Sequence, residues 1–138
     1  MAERDVWILG ASMTKFGRYP DKDLIDLGAD AALAALDDAG VTMADMDVMG
    51  AGNLMEAASG VGQRIQKQVG QNGVPVYNVA NACATGATAI RCVYMAIKSG
   101  EADTGIAVGL RRWARPGSSA ARPAPTRTCS SPRAATAR

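Results

Sequence analysis

Apolar and polar residues are grouped along the first part of the chain in blocks that predict strands and helices. Mainly apolar runs at residues 6–9, 48–52 and 104–109 are bounded by glycine or by polar residues, which is typical of strands buried on both faces of a parallel sheet. Pro75 to Val79 predicts a further strand, because proline at the first position of a strand does the least harm to its hydrogen bonding.

The segments between these strands have the length and residue spacing of helices, and they span residues 23–40, 60–68 and 84–98. In the first segment, aspartates at 26, 30 and 37 share one arc, which is typical of a solvated face. Asp23 is suited to cap this helix and Gly40 to end it. The resulting order, βαβαβαβ with short connections, predicts an α/β fold with a parallel sheet covered by helices and right-handed crossovers.

Charge divides the chain at about residue 109. Residues 1–109 carry thirteen acidic and eight basic side chains, a net charge of −5, whereas residues 110–138 carry seven arginines and no acidic side chain. The second part also lacks helical or strand periodicity, so we expect a disordered basic tail over 110–138 after a folded region over 1–109. A GC-rich gene read in the wrong frame yields this composition, and we expect the tail to be frameshifted.

Residue types that are scarce in this chain narrow its possible functions. It contains no histidine, so general acid-base catalysis at neutral pH needs a group from elsewhere. Cys83, Cys92 and Cys129 show neither metal-ligand spacing nor an even set for disulfides, which favours no metal and a reducing, cytoplasmic location. No stretch approaches the ~18 consecutive apolar residues of a membrane span, and charged residues at 3–5 interrupt any signal peptide.

Two glycine-containing segments match phosphate-binding loops only weakly. Gly10-Ala-Ser12 lacks the glycine spacing of a phosphate cradle, and Gly50-Ala-Gly52 begins a dinucleotide fingerprint in which Met55 stands where the third glycine belongs. We therefore expect no bound cofactor.

The segment Asn78-Val-Ala-Asn-Ala-Cys83-Ala-Thr-Gly86 leads from a predicted strand into a predicted helix. Cys83 is expected at the helix N-terminus, where unpaired backbone N–H groups and the helix dipole favour negative charge and therefore the nucleophilic thiolate. Small neighbours leave room for a substrate carbonyl, and the N–H of Cys83 is a candidate oxyanion donor. The alternative is that Cys83 is a packing residue, as free cysteines often are, and we expect this of Cys92.

These nine residues resemble the nucleophile motif of the thiolases, Asn-x-x-Cys-Ala-Ser/Thr-Gly. The resemblance runs from about Val6 to Gly109 and includes Ser99-Gly-Glu-Ala-Asp103. It is closest to the sterol-carrier or lipid-transfer type of acetyl-CoA acyltransferase, and it covers part of the N-terminal domain. It implies a thiolase-like half-domain with a buried nucleophile helix.

The resemblance also implies an activity. In thiolases the cysteine that corresponds to Cys83 attacks an acyl-CoA thioester, holds the acyl group, and passes it to coenzyme A or to a second acyl-CoA. The resemblance further implies a homo-oligomer for the full-length protein. Family members carry two histidines and a second cysteine in a C-terminal domain; the chain has no match to these, and Cys129 does not fit the Cys-x-Gly motif. We therefore expect a truncated acyltransferase that is inactive alone.

The sequence leaves two other functions open. A condensing enzyme of the ketoacyl synthase kind also places a cysteine at a helix start, although the sequence motif Asn-Ala-Cys-Ala-Thr-Gly favours a thiolase. The arginine-rich tail could bind the phosphates of a nucleic acid, which would be a function of a different class and is less favoured. A steep loss of nucleic-acid binding with added salt would identify it.

Overall fold

The structure is a computed structural model that describes residues 5–111. The strands are β1 (Val48–Gly52), β2 (Val76–Val79) and β3 (Gly105–Gly109). The helices are α1 (Leu24–Ala39), α2 (Val61–Val69) and α3 (Thr85–Ser99). Apart from Leu110 and Arg111, the tail predicted over 110–138 lies outside the described residues.

The three strands form one parallel sheet in the order β2-β1-β3. β1 lies in the centre, with Met49 opposite Val76 of β2 and Val48 opposite Gly105 of β3. Helix α2 connects β1 to β2, and α3 connects β2 to β3. Parallel neighbours require such crossover connections, and the predicted α/β class with a parallel sheet is confirmed.

Helix α1 begins and ends at the residues that the sequence indicates. The Asp23 carboxylate accepts a hydrogen bond from Asp26 N (2.9 Å), the Asp26 carboxylate accepts one from Asp23 N (2.8 Å), and Gly40 adopts φ +68° after the last turn. Asp26 also accepts a bond from Gln68 Nε2 (3.1 Å). The Asp23 N–H and the Gln68 amide hold the pKa of Asp26 below its usual value. One carboxylate of the predicted solvated arc therefore joins α1 to α2.

The core lies on both faces of the sheet. One face is covered by α1 and α2, and its buried residues include Met49, Ala51, Val61, Ile65, Ile106 and Val108. The other face is covered by α3, with a smaller cluster formed by Val48, Val93, Ala96 and Ala102. The sheet is thus the middle of three layers, which fixes the start of α3 relative to the ends of the strands.

The strand predicted at Val6–Leu9 is wrong. This segment has no β partner among the described residues, and Trp7, Ile8 and Leu9 are 77%, 86% and 64% exposed. A strand buried on both faces needs a neighbour in the sheet and a layer on each side. Here a groove separates the segment from β3, so neither condition is met.

Helix α3, which the resemblance implies to be buried, is covered on the side that faces the sheet. Thr85, Ala89, Val93 and Ala96 of α3 are buried against the sheet. Ile90, Tyr94 and Met95 on the outer side of the helix are exposed. Residues 5–111 supply only one layer against this helix, so the apolar side chains on its outer side stay exposed.

Candidate active site

Cys83 lies between the end of β2 and the beginning of α3. A short 3-10 turn, Ala82–Ala84, follows the strand, and α3 begins at Thr85. Cys83 is exposed and in no disulfide. The predicted position at a helix start is confirmed, and the reading of Cys83 as a buried packing residue does not fit its exposure.

The turn that presents Cys83 is held by the hydroxyl of Thr85. Thr85 Oγ1 accepts a hydrogen bond from Asn81 N (2.8 Å) and donates one to Ala82 O (2.7 Å), and Thr85 itself is buried. Ala82 is the only non-glycine residue with positive φ in the described part of the chain, at +45°. This conformation costs an L-residue roughly 1–2 kcal/mol, so both bonds stabilise a strained backbone directly before Cys83.

Helix α3 begins without a side chain on its first N–H groups. Its N-cap position is Ala84, and no side-chain capping bond is formed. The hydroxyl of Thr88 instead accepts from Asn81 Nδ2 (3.0 Å) and donates back to Ala84 O (3.0 Å). Cys83 N–H has no backbone acceptor within residues 5–111. Free N–H groups at a helix start stabilise negative charge nearby.

Glycines in the strands bring α3 directly onto the sheet backbone. A Cβ on Gly50 would lie 2.7 Å from Ala89 O, and a Cβ on Gly52 would lie 2.8 Å from Thr85 O. A Cβ on Gly109 would lie 2.9 Å from the Cα of Gly86. Gly50 and Gly52, which begin the weak dinucleotide fingerprint, are therefore required for close helix packing.

An open cavity of about 230 Å³ surrounds Cys83. It is lined by Gly52, Leu54, Ala82, Cys83, Thr85, Gly86, Gly109, Leu110 and Arg111. The ends of β1 and β3, the turn before α3 and the first residues of α3 all contribute to it. Its ionisable side chains are the Cys83 thiol and the Arg111 guanidinium, so the described residues bring a thiol and a cation to the cavity.

Asn53 organises the loop beside this cavity, and sequence reasoning missed it. Its side chain is buried; Nδ2 donates to Leu110 O (2.9 Å), and Oδ1 accepts from Met55 N (2.9 Å) and Glu56 N (2.7 Å). It thereby joins the chain after β1 to the chain after β3. The sequence does contain a signal for this role, namely a polar residue directly after a buried strand. A polar side chain that is buried there must form hydrogen bonds within the protein.

Asn78, the first residue of the cysteine motif, lies away from the cavity and holds another helix. Its Oδ1 accepts a hydrogen bond from Gly62 N (2.7 Å), and its Nδ2 donates to Gln63 Oε1 (2.7 Å). Asn78 therefore satisfies an N–H in the first turn of α2. It ties β2, which leads to Cys83, to the helix on the opposite face of the sheet.

The structure does not bring the remaining candidates to the site. Cys92 is half-buried in α3, in line with the predicted packing role, and Cys129 lies outside the described residues. Gly10 packs on the backbone of α1, where a Cβ would lie 2.6 Å from Ala35 O, so it forms no phosphate loop. Within residues 5–111, no cluster of acidic or cysteine side chains could hold a metal ion, and no helix is long and apolar enough to cross a membrane.

Several known proteins are similar to this chain in sequence. Acetyl-CoA acetyltransferase from Methanothermobacter thermautotrophicus is 37% identical over 79% of this chain and 30% of its own length. Non-specific lipid-transfer protein-like 2 from Caenorhabditis elegans is 37% identical over 82% of this chain and 28% of its own. Sterol carrier protein 2 from Gallus gallus is 36% identical over 82% of this chain and 21% of its own length. The chain thus spans less than a third of the length of these relatives.

A crystal structure of 3-oxoacyl-[acyl-carrier-protein] synthase III from Aquifex aeolicus superimposes with a TM-score of 0.49 and 21% identity, over 59% of this chain and 27% of that one. The family model of the thiolase N-terminal domain matches residues 6–122, which include the three strands, the three helices and the turn at Cys83. The chain belongs to the thiolase family, as part of its N-terminal domain.

Proposed function

We propose that Cys83 is the nucleophile of a thiolase-type acyltransferase that accepts the acyl group of a coenzyme A thioester. The observation that carries the proposal is the position of the thiol. Cys83 is exposed in an open cavity, directly before a helix whose first turn has no side-chain cap.

The proposed step exchanges one thioester for another. The Cys83 thiolate attacks the thioester carbonyl carbon, a new C–S bond forms to Cys83, and the bond to the coenzyme A sulfur breaks with its electron pair. The leaving thiolate takes up the proton that Cys83 released. The Cys83 N–H and the first N–H groups of α3 are suited to stabilise the oxyanion of the tetrahedral intermediate. Return of the acyl group to a second thiol or to a carbon nucleophile completes the transfer.

We also propose that this chain alone does not turn over. The sequence has no histidine, and Arg111, the other ionisable side chain that lines the cavity, offers only hydrogen-bond donors and cannot act as a base. Without a base and further oxyanion donors, rates fall by several orders of magnitude. We place the reaction in the reducing cytoplasm, and we propose a homo-oligomer for the full-length protein.

Mass spectrometry after incubation with acetyl-CoA tests the nucleophile. We expect a mass increase of one acetyl group, confined to the peptide that contains Cys83, slow to form and removable by hydroxylamine. Cys83→Ser should lose the label, and Cys92→Ser, the matched control, should keep it. Label on Cys92 alone, or equal label on both, would contradict the assignment.

Steady-state thiolysis of acetoacetyl-CoA tests the second part of the proposal. We expect no cleavage above the rate of the Cys83→Ser variant. Sustained turnover by the purified chain would show that its own residues supply the acid and the base, and the proposed dependence on further groups would then be wrong.

A further inference from the structure

We propose that Asn53 is a positioning residue that sets the width of the Cys83 cavity and thereby selects acyl groups by size. This role rests on the proposed function of Cys83, and it gives Asn53 no chemistry of its own in the transfer. Asn53 directly follows β1 and is only 4% exposed although its side chain is polar. A buried amide is stable only when its donors and acceptor are bonded, so its partners are held in fixed places.

Asn53 joins the C-terminal ends of all three strands. Its backbone N–H donates to Val79 O at the end of β2 (3.1 Å), and its Nδ2 donates to Leu110 O directly after β3 (2.9 Å). The C-terminal ends of neighbouring parallel strands lie at the same edge of the sheet. Cys83 follows Val79 by four residues, so Asn53 fixes the chain beside the thiol as well as the chain after β3.

The other end of the same amide fixes Leu54. Asn53 Oδ1 accepts hydrogen bonds from Met55 N (2.9 Å) and Glu56 N (2.7 Å), and Leu54 lies between the residues that these bonds connect. Leu54 and Leu110 both line the cavity around the thiol. One buried amide therefore holds both leucines, and it sets the separation of their backbones.

Fixed leucines give the cavity a means of selecting its occupant. A wall excludes a larger group only if it cannot move aside, and a fixed apolar wall discriminates one methylene by about 10–200-fold. Leu54 and Leu110 belong to connections, which are ordinarily the mobile parts of a fold. Because Asn53 ties both connections to the sheet, we expect the cavity of about 230 Å³ to favour short apolar acyl groups over long ones.

Alkylation of Cys83 tests this role without the need for a thioester. The 138-residue chain and its Asn53→Asp variant are treated with iodoacetamide and with N-hexyliodoacetamide, and peptide mapping gives the rate at Cys83 for each reagent. The new carboxylate still accepts from Met55 N and Glu56 N, but it cannot donate to Leu110 O and repels it. We expect the ratio of the hexyl rate to the iodoacetamide rate to rise about threefold or more in the variant.

Asn72→Asp is the matched control. Asn72 Nδ2 donates to Met43 O and Met46 O, so this variant also loses a donor and places a carboxylate beside carbonyl oxygens. These residues precede β1 and β2 and lie at the edge of the sheet away from Cys83. The ratio at Cys83 should equal that of the wild type. Half-buried Cys92 reports on general opening, and it should stay slow with both reagents.

Three results would overturn the proposal. The first is an Asn53→Asp ratio equal to that of the wild type. The second is an equal rise in Asn72→Asp, which would make the effect one of stability alone. The third is a rise at Cys83 accompanied by fast labelling of Cys92, because the fold would then have opened as a whole.

Acylation by acetyl-CoA and octanoyl-CoA separates this role from the proposed function. Where the wild type accepts the acetyl group, Asn53→Asp should raise the ratio of octanoyl to acetyl label on Cys83, and an unchanged or lower ratio would overturn the size selection. If neither thioester labels wild-type Cys83, the proposed acyl transfer is wrong, and acyl groups are not the occupants. The alkylation ratio then still decides whether Asn53 sets the width of the cavity.

Discussion

Substitution of Gly52 by alanine should disturb Cys83 without touching it. The new Cβ would lie 2.8 Å from Thr85 O and 2.9 Å from Thr85 Cγ2, whereas ordinary contacts begin at 3.4 Å. The start of α3 must therefore move away from the sheet by about 0.6 Å. Overpacking of this kind costs about 1–3 kcal/mol, and Thr85 also holds the turn through Asn81 and Ala82.

Gly86→Ala is the matched control, because a Cβ there would meet only Gly109 Cα at 3.7 Å. It should leave stability unchanged or raise it by up to about 1 kcal/mol through its helix propensity. Urea unfolding followed by circular dichroism measures both variants, and iodoacetamide labelling reports on Cys83. Gly52→Ala should unfold at lower urea and label Cys83 at an altered rate. A Gly52→Ala variant with wild-type stability and labelling would refute the close packing of α3 on β1.

Three further predictions concern the turn, the sheet and the thiols. Thr85→Val should cost about 1–3 kcal/mol in urea unfolding, because two backbone groups lose their partner; Thr85→Ser, which keeps the hydroxyl, should not. Hydrogen bonds from Asp103 N, Thr104 N and the Thr104 hydroxyl hold the pKa of Asp47 below its usual value. The contribution of Asp47 should be fully present at pH 7 and should decline as pH falls below the ordinary aspartate pKa of about 4 towards the lowered pKa of the folded state. Asp47→Asn should therefore be less stable than wild type at pH 7, and a stability difference that does not shrink between pH 7 and pH 3 would contradict this. Cys83 should alkylate faster than half-buried Cys92 at neutral pH, by peptide mapping, and equal rates would count against an accessible nucleophile.

The parts of the fold that the sequence could predict are those set by local chemistry. The caps of α1 at Asp23 and Gly40 follow from short-range hydrogen bonding and from backbone conformation, and the structure has both. Cys83 could be placed at a helix start because a short strand, small residues and a helical segment follow one another there. Each of these signals lies within a few residues of the feature that it predicts.

The failures concern features that depend on distant parts of the chain. Val6–Leu9 has the composition of a buried strand. A strand forms only where a neighbouring strand pairs with it, and the periodicity of one segment does not predict that pairing. Asn53 contacts Leu110, which is 57 positions away, so no local pattern could assign its partner. Gly50 and Gly52 suggested a nucleotide-binding loop. Glycine is needed at both positions because the backbone of α3, which begins more than thirty residues later, packs directly against them.

The glycine contacts beneath α3 bear on how this site can diversify. Since α3 rests on the strand backbones at Gly50 and Gly52, mutations there shift Cys83 itself, and selection has little freedom on that side of the cavity. Leu54 and Leu110 line the same cavity from the connections after β1 and β3, where sequence changes are tolerated best. The side chains at these two positions can therefore change in size and reshape the cavity, while the position of Cys83 stays set by the sheet.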